Sequence, residues 1–215
     1  MSKTMTLFVA LFVVIAAFLM LRYFKSDFGI TPSTKGKPEA IANQDFLDFH
    51  EWREFSFKPE HFKVLLPGTP QHVSENIKDP KTKKLRKYET YATASNNGVA
   101  FMVNAISFAI PEEVEINDET LKSVVNEILA RNRENKLNEM KSSTFKGAPA
   151  LDFSYNNENL LIEGKVFAHE NTIYILSMID KKVAFMKKEL DFFINSFDFV
   201  DDKPKATSLK RGSNE

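Results

Sequence analysis

The chain is 215 residues long, 43% hydrophobic, and carries 29 basic and 29 acidic residues, for a formal net charge of zero. That balance gives no electrostatic footprint for nucleic acid, and the absence of cysteine removes disulfides and thiolate catalysis together. Twenty Phe residues can furnish a sizeable core for one domain.

The first element is the apolar run Met5 to Leu21, 17 residues without a charge and with Thr6 as the only polar member. As a helix rising about 1.5 Å per residue it covers roughly 26 Å, close to the hydrocarbon thickness of a bilayer. It is longer than the roughly 7–15-residue core of a secretory signal. Arg22, Tyr23, Phe24 and Lys25 follow where a small-residue cleavage site would stand. These features predict an uncleaved, single-pass signal-anchor over residues 1–25, which enters membrane lipid through Met5, Leu7, Phe8, Leu11, Phe12, Ile15, Phe18 and Leu21. Tyr23 suits the headgroup level. Arg22, Lys25, Lys35 and Lys37 outnumber Lys3 and favour the C-terminal flank inside. A short tail before an apolar segment is instead the layout of a signal-anchor, and large domains translocate largely regardless of charge. The expected topology places the folded part on the extracytoplasmic (periplasmic) side.

Residues 26–42, with Pro32, Gly36 and Pro38, read as a flexible linker. A domain is expected over residues 43–200, followed by a polar, disordered tail over residues 201–215. Within the domain, Asn43 to Trp52 reads as a lead-in helix. Phe55 and Phe57 alternate in a brief strand, and Phe62 to Leu66 forms another. Pro67-Gly68-Thr69-Pro70 is turn chemistry. Strands over Gln71 to Ile77 and Lys84 to Ala94 precede a tight Asn97-Gly98 hairpin into Val99 to Phe108. That last strand is apolar on both faces, as is Ile173 to Met178, which predicts central strands covered on both sides by helices. Leu121, Val124, Val125, Ile128 and Leu129 make the stripe of one amphipathic helix, which Asn117 or Asp118 can cap. A second helix is expected after Asp180, with Val183, Met186, Leu190 and Phe193 on one face. Between them lie strands over Lys141 to Phe145, Pro149 to Tyr155 and Leu161 to Ala168, with turns at Gly147 and Asn156-Asn157, and Phe197 to Val200 closes the domain. The fold class is α+β, a largely antiparallel sheet sandwiched between helices and preceded by one transmembrane helix.

Few residues point to chemistry. No two of the seven glycines stand at a Gly-x-Gly spacing, so no phosphate loop fits. Ser143-x-x-Lys146 has the local spacing of penicillin-binding proteins without their other elements. His50, His61, His72 and His169 form no paired ligand motif, and the acidic group Glu112, Glu113, Glu115, Asp118 and Glu119 lacks the central glycine of a calcium loop. The candidate recognition feature is basic. Lys81, Lys83, Lys84, Arg86 and Lys87, with Lys78 nearby, can serve as a docking patch for an acidic partner or for anionic headgroups.

Phe62-Lys63-Val64-Leu65-Leu66-Pro67-Gly68-Thr69-Pro70 resembles the early strand and turn of PsbP-like domains. So do Val99 to Val103, Gly147-Ala148-Pro149-Ala150, Gly164 to Phe167, Ile173 to Leu176, and Phe193 to Phe197, and the resemblance covers about residues 52–200. The resemblance takes in the similar Mog-type proteins. It implies an antiparallel sheet between helices and a non-catalytic binding or assembly role, and it carries over no partner, cofactor or binding residue. The reading is a membrane-anchored, non-enzymatic domain acting on an unidentified protein partner, without nucleic acid and without a cofactor. The alternatives are a hydrolase or metal-dependent enzyme assembled from distant residues such as His50, His61 and the acidic group, or a structural, lipid-binding tether.

Overall fold

The computed structural model describes residues 49–78, 85–108 and 117–200. The anchor, the linker, the tail and most of the expected lead-in helix lie outside the described residues, as do Lys81, Lys83, Lys84, Glu112, Glu113 and Glu115. Among the described residues no helix is long and apolar enough to cross a membrane.

The described chain runs β1 (Arg53–Phe57), β2 (Phe62–Leu66), β3 (Gln71–Lys78), β4 (Leu85–Ala94), β5 (Ala100–Phe108), α1 (Asp118–Ala130), β6 (Asn135–Phe145), β7 (Ala148–Asn157), β8 (Leu160–His169), β9 (Thr172–Lys181), α2 (Lys187–Ser196) and β10 (Asp198–Phe199). Short 3-10 turns at Phe49–Glu51 and Lys58–Glu60 precede and follow β1. The strands build two sheets. A seven-stranded sheet has the order β3-β4-β5-β9-β8-β7-β6, and a three-stranded sheet has the order β1-β2-β10. Every pairing is antiparallel.

The two doubly apolar strands are inner strands, as their patterning demands. Phe101, Val103 and Ala105 of β5 and Tyr174, Leu176 and Met178 of β9 line one face. Ile106 of β5 and Ile173 and Ile175 of β9 line the other. Helix α1 covers this second face with Leu121 and Val125 buried and Val124, Ile128 and Leu129 half-buried. Its first turn is closed by Asn117, whose side-chain oxygen accepts from the Thr120 amide at 3.0 Å. The first face is closed differently from expectation. Helix α2 covers part of it with Leu190 and Phe193, and the small sheet covers the rest with Phe62, Val64 and Leu66, all fully buried. The alternation of β2, with Lys63 and Leu65 outward, lets a strand do what a second helix was expected to do.

Four other expectations need correcting. Only a 3-10 turn, Phe49–Glu51, stands where the described end of the lead-in helix was expected. The strand expected from Lys141 begins at Asn135, because Asn135 and Asn138 meet Asn157 and Asn156 across the ladder through side-chain amides at 2.7 and 2.6 Å. For the same reason β7 runs through Asn157, and the turn falls on Glu158, which has a φ of 52°. Helix α2 starts at Lys187, not directly after Asp180, since β9 stays paired with β8 as far as Lys181 opposite Leu160. Val183 therefore lies in a turn, 96% exposed, and not on a core-facing helix stripe. The Lys146-Gly147 turn has both residues at positive φ, 49° and 83°, as a two-residue hairpin requires.

Candidate functional site

Strand β4 shows where charge enters the core. Lys87, Glu89 and Tyr91 alternate on its inner face beside Ser74 and His72 of β3, in register Ser74↔Glu89 and His72↔Tyr91. Behind Glu89 stands Ala105 of β5, and behind that Tyr174 of β9, so a small side chain leaves room for a large polar one. Above this row the Lys58–Glu60 turn delivers Glu60, helped by His61 taking a φ of 55°.

These residues close on one another. Glu89 is 2% exposed. Its Oε1 accepts from Ser74 Oγ at 2.7 Å and pairs with Lys87 Nζ at 2.5 Å, while Oε2 lies 2.5 Å from His72 Nε2. Glu60 is 5% exposed, accepts from the Tyr91 hydroxyl at 2.6 Å, and pairs with Lys87 at 3.3 Å. The Tyr174 hydroxyl donates to the Glu60 carbonyl oxygen at 2.8 Å, and the His72 ring stacks on Tyr91 with centroids 4.4 Å apart. Burial pushes Glu89 up, but Lys87, Ser74 and His72 more than reverse this and leave it below the ordinary carboxylate value. The bond to Glu89, followed by the opposing effect of burial and the bond to Glu60, holds Lys87 above the usual lysine value. Burial and then Glu60 push Tyr91 well up, so it stays a neutral donor. The cluster is a clamp that holds the small sheet on the large one, with its carboxylates engaged by cation and hydroxyls.

A second buried acidic feature lies at the start of α2. Asp180 and Glu189 are 8% and 7% exposed, and Glu189 Oε2 has no hydrogen-bond partner among the described residues. Burial raises both, and the Asp180 charge raises Glu189 further, whereas the Lys181 amide partly offsets the rise at Asp180.

The other sequence candidates are scattered. Arg86 and Lys87 are neighbours on a strand and point to opposite faces. The Arg86 guanidinium lies 5.4 Å from the Phe108 ring centre, while Lys87 is spent on the clamp. Asp118 accepts from Ser142 at 2.7 Å and Glu119 pairs with Lys122 at 3.0 Å, both in the first turn of α1. Ser143 accepts from Lys165 at 3.0 Å and Lys146 pairs with Asp198 at 3.0 Å, so Ser143 and Lys146 each serve a different partner. His169 stacks on Phe199. Among the described residues no group of three or more His, Asp or Glu side chains could hold a metal ion.

The clamp was missed in the sequence, although Lys87 and Glu89 at positions alternating with Tyr91 on one face of the strand were its signal. Also missed was the turn Lys181-Lys182-Val183-Ala184-Phe185-Met186-Lys187-Lys188, where lysine pairs flank an apolar tip.

No protein-family model matches the chain, and no curated protein matches it. Among solved structures, the solution structure of cyanobacterial PsbP (CyanoP) from Synechocystis sp. PCC 6803 is similar over 79% of this chain and 99% of that one, at 13% identity and a TM-score of 0.46.

Proposed function

We propose that the chain is a membrane-anchored, non-catalytic binding domain that serves a protein partner or the assembly of a complex at the membrane, with the domain on the extracytoplasmic side. The observation that carries the reading is the clamp. Lys87, Ser74 and Tyr91 take up the buried carboxylates of Glu60 and Glu89, so the inward-facing charge maintains shape and the outer surface is left to act. The apolar run Met5 to Leu21 supports the membrane part. Its test is native electrophoresis of the full chain, extracted from its own membranes in mild detergent. The proposal expects a discrete complex larger than the chain, weakened by salt and lost when Lys81, Lys83 and Lys84 are reversed to Glu. Migration as a lone chain under the gentlest extraction overturns the binding role. Activity of a cytoplasm-only reporter fused at the C-terminus overturns the topology.

The hydrolase alternative draws on one observation, Glu189 Oε2 beside Asp180 without a hydrogen-bond partner among the described residues. It requires turnover of a generic ester or peptide substrate that Glu189→Gln abolishes while the fold is retained.

A further inference from the structure

We propose that the turn between β9 and α2 is a membrane-docking tip, in which Val183 enters the surface of an anionic phospholipid bilayer and the lysines on either side engage its phosphates. The proposal rests on the membrane anchoring proposed above and assigns the domain a second contact with the same bilayer. Val183 is 96% exposed, and Ala184 beside it is exposed as well. Single exposed apolar residues are ordinary on protein surfaces, so the setting has to distinguish this one. Three features do.

The turn is held by its backbone. The Lys182 amide donates to the Asn159 carbonyl at 2.8 Å, and the Ala184 amide donates to the Lys181 carbonyl at 2.9 Å. Phe185 packs half-buried against the core, so it anchors the base of the turn while Val183 is presented at the tip.

Charge surrounds the tip in the pattern of an interfacial contact. Lys181, Lys182, Lys187 and Lys188 are all exposed, on both sides of the apolar residues. The nearby acids that stay outside the core number three against the four lysines. Lys187 meets Glu163 at 3.2 Å and Asp191 at 3.9 Å, Glu158 stands in the neighbouring turn beside Asn159, and Asp180 and Glu189 are buried. Lysines near an anionic leaflet are attracted to it over about a Debye length, while an apolar tip contributes by leaving water.

The described chain begins against the helix that follows the tip. Phe49, the first described residue, stacks on Phe192 of α2 with ring centres 3.9 Å apart, and Trp52 meets the same ring edge-on at 5.2 Å. Phe192 lies five residues along α2 from Lys187, about 7.5 Å of helix. The first described residue thus lies on the helix whose first turn adjoins the tip, and the apolar run Met5–Leu21 precedes it in sequence. Tethering raises the effective concentration of bilayer at the tip, so a contact too weak to recruit a free domain suffices.

The sequence contains no cysteine, so Val183→Cys gives a single labelling position. The full chain carrying an environment-sensitive fluorophore there is reconstituted into protein-free vesicles of phosphatidylcholine alone, or mixed with phosphatidylglycerol. The expected result is blue-shifted emission and protection from acrylamide quenching in the mixed vesicles only. High salt and Lys182→Glu/Lys188→Glu should reverse both, and the same label at Glu139→Cys on the exposed edge strand β6 should remain in water. Aqueous emission at position 183 while the chain stays in the vesicle overturns the proposal, as does an equal shift at both positions. A shift seen in native membranes but not in protein-free vesicles overturns it in favour of a protein contact. Carbonate release of the chain from the vesicles contradicts the anchor alone. In that case a salt-sensitive blue shift on added mixed vesicles still supports the tip, and its absence overturns it.

Discussion

Replacing Lys87 with Met keeps the aliphatic stem and removes the ammonium shared by two buried carboxylates. The side chains of Glu60 and Glu89 are 4% and 2% exposed, whereas Lys87 is 44% exposed, so the cation sits at the rim with its anions beneath. Stranding one charge of a fully buried pair costs about 3–5 kcal/mol, while exposed pairs contribute at most about 1 kcal/mol. One half-exposed partner, with Ser74, Tyr91 and His72 still in place, puts the expected loss near 2 kcal/mol at neutral pH. For a domain of roughly 150 residues this lowers the melting temperature by about 4–8 °C. The pH dependence has a definite sign. A carboxyl held below its ordinary 4.5, as Glu89 is, contributes stability that is present above that value and is lost as pH falls through the folded one. Lys87, held above 10.5, contributes stability that is present below that value and is lost as pH rises through the folded one. The gap between parent and Lys87→Met should therefore be widest at neutral pH and close toward both extremes. Thermal melts of the full chain in detergent, followed by circular dichroism across pH, measure it. An unchanged melting temperature at neutral pH, or a deficit of constant size down to acid, would refute the clamp as described.

Three further substitutions probe other parts of the fold by the same melts. Phe101→Ala removes a fully buried ring edge-on to Trp52 at 4.8 Å and to Phe193 at 5.4 Å, and should cost about 3–5 kcal/mol; a loss below about 1 kcal/mol would contradict its placement. Gly164→Ala puts a methyl carbon 2.2 Å from the Leu176 carbonyl oxygen and 2.7 Å from the Phe153 ring, so it should cost at least about 1–3 kcal/mol, and a neutral result would contradict the close strand approach. Glu189→Gln should raise stability at neutral and alkaline pH, because burial raises the parent carboxyl and its ionised form is the disfavoured one. That advantage should vanish below about pH 4.5, where the parent is protonated in both states; destabilisation at neutral pH would count against the buried, unpartnered placement.

The sheet was legible where a strand's two faces carried distinct apolar sets. Phe101-Val103-Ala105 and Met102-Ile106-Phe108 announced an inner strand, and Asn117 announced a helix start. The small sheet was less legible, because β2 alternates as any half-buried strand does and nothing local says which sheet it joins. The start of α2 was misplaced for a related reason. Val183, Met186, Leu190 and Phe193 match helical spacing, yet the β9–β8 ladder, a non-local pairing, holds the chain extended through Lys181. The clamp escaped notice because its members come from the Lys58–Glu60 turn, β3 and β4, and acidic residues read alone look solvated. The exposed tip lies in that same stretch, since Val183, expected on the core-facing stripe, is 96% exposed.

Carbonate extraction of membranes holding the full chain tests membrane anchoring, the central claim of this account, most directly. Retention of the unshortened chain in the pellet is the predicted result, because an apolar run of 17 residues that crosses the bilayer resists alkaline washing. Release into the supernatant, at full length or as a form lacking Met5 to Leu21, would contradict it.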